Sequence, residues 1–230
     1  KLNNEKMRDS YKTFFEYFKI DFSEIIKFGV DIDTIYPDPK LIYDRWKSLV
    51  NSIEENKEVY IRGYGRDAHG THLYQELYKI LLNNDRVKKD PTNNAKPRQI
   101  LQQITGFSKT VRGDSERKIQ NYQVTHIFGR TKNPFLFSAP WNIVWKSKIL
   151  DPFTGHEARG PESNAYKNAF QKKCREYFSQ YITEYNVLAE KYFSEEKIEK
   201  AFYEMKLKLS VDEKVFERFK LDASEELKKI

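Results

Sequence analysis

Three short stretches bring together side chains suited to chemistry on a phosphate ester. They are Asn121-Tyr122-Gln123-Val124-Thr125-His126-Ile127-Phe128-Gly129-Arg130, Pro140-Trp141-Asn142-Ile143-Val144-Trp145 and Leu150-Asp151-Pro152-Phe153-Thr154-Gly155-His156-Glu157. A neutral imidazole is the side chain best matched to taking a proton from water near pH 7. His126 and His156 supply two imidazoles; Asp151 and Glu157, with Asn164 and Asn168 at i and i+4 on the next helix, supply oxygen. The charge around them suits an anionic substrate. Residues 86–175 hold 18 Lys and Arg against 6 Asp and Glu, a surplus of 12 that leaves −5 for the rest of a chain of net charge +7. Each phosphate neutralised by such a zone releases counterions, which adds affinity that falls with salt.

In order and spacing, these residues resemble the HNH, or ββα-metal, nuclease motif over residues 122–178: a strand ending in histidine, a loop asparagine, a second strand and a helix. The resemblance implies metal-assisted phosphodiester hydrolysis, with His126 as the base that activates water. It implies a divalent cation, Mg2+ or alternatively Mn2+, held by His156 and Asn142, with Asp151 and Asn164 ranked behind them as ligands. Asn142 either orients His126 or binds the metal, and both roles stay open. Arg130, Lys132, Lys146 and Arg159 would contact phosphate. One departure matters: many members have Asp or His before the base histidine, whereas this chain has Thr125, a poor ligand for such an ion. A type II restriction endonuclease acting on double-stranded DNA as a homodimer is the biological expectation, with a two-fold site mirroring a two-fold protein. A nonspecific or RNA-directed nuclease of toxin or phage-defence type, and a noncatalytic DNA-binding module, are the alternatives.

A second stretch, Arg62-Gly63-Tyr64-Gly65-Arg66-Asp67-Ala68-His69-Gly70-Thr71-His72, joins a strand to a helix. Its glycines would let backbone amides approach phosphate, and Arg62 and Arg66 are expected to touch DNA. The Lys-Ser/Thr pair of a Walker loop is absent, so nucleotide hydrolysis is unsupported. His69 and His72 lack further ligands for zinc. Pro37-Asp38 followed by Glu55-Asn56-Lys57 superficially resembles the PD-(D/E)XK nucleases, but Asp38 reads as a helix cap and residues 55–57 as a helix end, whereas that chemistry wants adjacent strands.

The elements that must position these groups follow from periodicity. Asp38-Pro39 opens a helix carrying Ile42, Trp46, Leu49, Val50 and Ile53; residues 58–61 form a short strand; Thr71 caps a helix; residues 97–104 form another that Gly106 ends. Beyond Pro161, Phe170, Cys174, Tyr177, Tyr181, Tyr185, Leu188 and Tyr192 mark one helical face, and Ser194 and Ser210 are expected N-caps, the latter in a capping box with Glu213. The fold expected is α+β: a small ββα-metal nuclease centre in a mostly helical body. Its segments are 1–110, mainly helical; 111–180, the catalytic core; and 181–230, helical. The 230 residues suffice for a proper core, and 15% aromatic content argues against extended disorder. Cys174 is the only cysteine, which excludes an internal disulfide and points to a reducing, cytoplasmic setting. No membrane span is expected, and the start at Lys1 without methionine is compatible with a missing upstream segment.

Overall fold

Asp38 accepts a hydrogen bond from Lys40 N at 2.9 Å, and Pro39 occupies the first turn, so helix α3 (Pro39–Glu54) begins where the sequence places it. The computed structural model describes residues 8–63, 70–110, 117–155 and 157–230. Before α3 come α1 (Ser10–Phe18), α2 (Phe22–Phe28) and a wide π turn, Gly29–Asp33. Strand β1 (Val59–Ile61) follows, then α4 (Thr71–Leu81), β2 (Val87–Lys89) and α5 (Ala95–Thr105). Gly106 ends α5 in the left-handed conformation, φ 68°, as expected of a C-terminal glycine. Thr71 is the first residue of α4 rather than its cap. That place falls to Gly70, whose φ of 81° is cheap only for glycine.

The centre is built from β3 (Phe107–Ser108), β4 (Arg117–Lys118), β5 (Tyr122–His126), a one-turn α6 (Pro134–Phe137) and β6 (Ile143–Ser147). Strands β5 and β6 pair antiparallel, Tyr122 opposite Ser147 and His126 opposite Ile143, while β1–β2 and β3–β4 are short parallel pairs. Ile35 adds a bridge to the free edge of β6, exchanging hydrogen bonds with Trp145 at 3.0 and 3.2 Å. A 3-10 turn, Asp151–Thr154, leads into α7 (Pro161–Tyr177), followed by α8 (Ser179–Tyr192), α9 (Glu195–Lys208) and α10 (Glu213–Leu227). The protein is therefore α+β, a small β-hairpin centre in a mostly helical body.

Side chains of a strand alternate faces, and both faces of the hairpin are covered. Ile143 and Trp145, with Tyr122 and Val124, pack on Leu101, Ile104 and Ile119 of α5 and the β4 region. Val144 belongs to the main core, which runs from Val30 through Trp46, Tyr78, Trp141 and Tyr185 to Leu227. That core draws on residues of all three segments expected from the sequence. Two local expectations change. The aromatic stripe beyond Pro161 is divided between α7 and α8 at Phe178, because both helices pack against one core. Ser194 holds the N-cap position of α9 as expected, without a side-chain cap bond, but Asp212 rather than Ser210 caps α10, accepting from Lys214 N and Val215 N. No helix among the described residues is long and apolar enough to cross a membrane.

Candidate active site

The order strand, loop, strand, helix holds His126 at the end of β5 and closes the loop over it. His126 is 5% exposed, and its ring stacks on Phe137 with centroids 5.5 Å apart and planes 12° apart. Its Nε2 lies 2.8 Å from the Phe137 carbonyl oxygen. A carbonyl can only accept, so in the neutral ring Nε2 carries the proton and Nδ1 is the basic nitrogen. The carbonyl comes from α6, whose position Asn133 sets by capping it at Phe135 N and donating to the Tyr185 hydroxyl and the Glu226 carbonyl.

Asn142 is wholly buried and ties the two ends of this loop together. Its Oδ1 accepts from Phe128 N at 3.0 Å, and its Nδ2 donates to Leu136 O at 3.0 Å and Gly129 O at 3.3 Å. Its carbonyl also accepts from Ile127 N at 2.9 Å. Of the two roles open from the sequence, the geometry is that of orientation: the amide is spent on the backbone of the loop that follows His126, and metal ligation by Asn142 is corrected accordingly.

Thr125, one residue before His126, points to the opposite face. Its hydroxyl donates to Asp151, which also accepts from the Gln123 amide. The Asp151 carboxylate is thereby seated against β5 with 7% exposure. It keeps lone pairs beyond those two bonds, so it suits a hard cation as one oxygen ligand. Asn164 stands exposed in the first turn of α7 with its backbone N bonded to Gly160 O. His156 lies outside the described residues, and among the described residues no group of three His, Cys, Asp or Glu could hold a metal. The described donors thus fit a cation at Asp151 and do not complete its ligand set.

The expected phosphate contacts divide sharply. Lys146 is 0% exposed: its Nζ donates to Gly29 O and, at 2.7 Å, to Thr34 Oγ1, and pairs with Asp33 at 3.4 Å. Burial lowers its pKa to about 8 against the opposing attraction of Asp33 and Asp151. It cannot reach a phosphate, because strand alternation aims it at α7, where it lies 5.1 Å from the Tyr166 ring centre. Lys132 is also buried, donating to Arg62 O at 2.8 Å, and Arg130 grips the carbonyls of Lys228 and Lys229 beyond α10. All three anchor the loop; the buried Lys146 and Lys132 are corrected as nucleic-acid contacts, while Arg130 is half-exposed with its guanidinium engaged by the chain. Arg159 is exposed and Arg62 half-buried, both compatible with the expectation; Arg66 and His69 lie outside the described residues, and His72 is exposed on α4. The PD-(D/E)XK arrangement fails, since Asp38 and Glu55 flank the two ends of α3, about 26 Å apart at a rise of ~1.5 Å per residue.

Reasoning from the sequence missed the Asp33–Lys146 pair, the Phe137 carbonyl, and Gln171, whose amide donates to Ile127 O at 2.9 Å from α7. Only Gln171 left a signal, lying four residues before Arg175, which itself sits 4.9 Å from the Phe128 ring centre.

Residues 37–230 match the model of a family described as "Uncharacterised protein PM1201". A protein of that description from Pasteurella multocida (strain Pm70) is 39% identical over 186 residues, covering 80% of this chain and 81% of the relative. No solved structure matches the chain. The match begins after α2 and the Gly29–Asp33 turn and takes in the whole of the hairpin and α7. The chain belongs to the PM1201 family.

Proposed function

We propose that the protein is a metal-dependent DNA endonuclease in which His126 is the general base that activates water for phosphodiester hydrolysis. The observation that carries this reading is the fixed tautomer of His126: its Nε2 bonded to the Phe137 carbonyl leaves Nδ1 as the basic nitrogen. Asn142 supports it by clamping the loop that follows His126 and carries the Phe137 carbonyl. A divalent cation, magnesium or manganese, would neutralise charge on the scissile phosphate when bound. Asp151 and His156 are the ligands that the resemblance implies for it; Asp151 is seated by Thr125 and Gln123 on the face of β5 opposite His126, so no described residue brings a cation site to the ring itself. Sequence-specific cleavage by a homodimer, in the manner of type II restriction enzymes, is the form of the activity that the HNH resemblance favours.

The test incubates plasmid and phage DNA with magnesium, manganese or EDTA, comparing the native chain with His126→Ala and His126→Gln. Metal-dependent cleavage is expected in the native protein and a loss of about 10²–10⁴ in both variants, the usual contribution of a general base. A defined ladder supports a restriction-type enzyme and a smear a nonspecific one. Equal cleavage by native and variant proteins refutes the assignment of His126. Salt-sensitive binding without metal-dependent cleavage would instead make the protein a DNA-binding module.

A further inference from the structure

With Lys146 and Lys132 buried and Arg130 engaged by the carbonyls of Lys228 and Lys229, a nucleic-acid enzyme needs phosphate contacts beyond these three. Five exposed cations converge on the opposite side of the hairpin, over its smaller core: Arg98 on α5, Lys109 after β3, Arg117 and Lys118 on β4, and Lys148 after β6. None of them forms an ion pair among the described residues, whereas exposed lysines of α8, α9 and α10 commonly do. Among the described residues, two carboxylates of the surrounding elements are engaged inward. Asp90, wholly buried, accepts the N–H groups of Thr92, Ala95 and Lys96, and Asp33 faces Lys146 and Ser147 N.

Two of the cations are held in place by aromatic rings. The Arg117 guanidinium lies 3.9 Å from the Phe107 ring centre and donates to Thr105 O at 3.2 Å, and the Lys109 ammonium stands 5.9 Å over Trp145. Positioning a charge before binding reduces the ordering cost of capturing an anion. Lys109 also feels its neighbours: burial first, then repulsion from Lys148 and Arg98, holds its pKa below the usual lysine range. Like charges kept together without an ion-pair partner among the described residues create a local field that an anion relieves.

The cluster sits at the far end of the strand that carries His126. Lys148 N bonds to Asn121 O at 2.8 Å, at the start of β5, and His126 ends that strand about 17 Å further on, at ~3.3 Å per residue. That is about five base-pair steps of duplex DNA at ~3.4 Å each.

We propose that Arg98, Lys109 and Lys148, flanked by Arg117 and Lys118, form the track along which the nucleic-acid backbone runs toward His126. The track rests on the nucleic-acid reading above but not on catalysis, so it is tested by binding alone. Fluorescence anisotropy with a labelled 20-base-pair duplex, in EDTA and at 50 and 200 mM salt, compares the native chain with Arg98→Ala/Lys109→Ala/Lys148→Ala. A control triple, Lys197→Ala/Lys200→Ala/Lys214→Ala, removes equal charge from the outer helices. Three phosphate contacts at a slope of ~0.9 each make the native affinity fall about 40-fold more than the track variant's over that salt range. The control should keep the native slope. If the track variant melts early, Lys148→Glu, a change at one exposed turn residue, serves in its place and should weaken binding. Native binding with an unchanged slope in the track variant overturns the track and leaves the nuclease reading standing. Tighter binding to phosphatidylserine vesicles than to duplex overturns it in favour of a membrane surface. Absence of any native binding to duplex or single strands overturns both readings.

Discussion

Asn142→Ala is the sharpest perturbation of the site, because it removes a wholly buried side chain whose every polar contact is to backbone. Phe128 N loses its 3.0 Å acceptor and Leu136 O its 3.0 Å donor, and each buried group left unsatisfied costs about 1–3 kcal/mol. Gly129 O, bonded at 3.3 Å on a half-buried residue, regains water and adds little. The expected loss is about 3–4 kcal/mol, which for a chain of this size is a fall in Tm of about 10 °C. Differential scanning calorimetry reads that fall, and amide hydrogen exchange should show Phe128 N–H losing protection. Asn142→Asp keeps the acceptor for Phe128 but aims an oxygen at two carbonyls. Its carboxyl then resists ionisation in the folded state, so the penalty is absent below the unfolded carboxyl pKa of about 3.9 and grows as pH rises through the raised folded value. Cleavage should be lost in both variants with the orientation of His126. The reasoning is refuted if Asn142→Ala melts within about 3 °C of the native protein. It is equally refuted if EDTA lowers the native Tm to that of the variant, the mark of a metal ligand.

The buried Lys146 predicts an alkaline signature. Because burial holds its folded pKa at about 8, below the ordinary lysine value of about 10.4, the unfolded chain binds more protons between those values. Native stability should therefore rise with pH across that window relative to Lys146→Met/Asp33→Asn, measured by urea unfolding, and a flat difference would refute the burial argument. At Gly29 an added methyl would overlap the Tyr166 hydroxyl and lie 2.7 Å from Cε2 of its ring, so Gly29→Ala should cost about 1–3 kcal/mol. Tyr166→Phe, which deletes a buried hydroxyl without a hydrogen-bond partner among the described residues, should recover part of that cost in a double-mutant cycle; strict additivity would refute the close contact.

Local chemistry determined what the sequence by itself could determine. Asp38-Pro39 and Gly106 set helix ends through bonds and dihedrals within a few residues, and a hairpin followed by a helix needs only neighbours in the chain to form. The order of His126, Asn142 and Asp151 around that hairpin was legible for the same reason. The partners of the site were not. His126 is oriented by a backbone carbonyl, which no side-chain pattern encodes, and Thr125, dismissed as a poor ligand, instead seats Asp151. Lys146 looks from its neighbours like any lysine of a basic zone; its burial depends on Asp33 and Thr34, more than a hundred residues away, and on a glycine that admits Tyr166. The charge surplus of residues 86–175 is a property of composition, but which cations face water is decided by strand alternation and by the helices that cover each face of the hairpin. Only the packed chain makes Arg98, Lys109 and Lys148 neighbours, because burying both faces of one two-stranded sheet brings α5 and the end of β6 together.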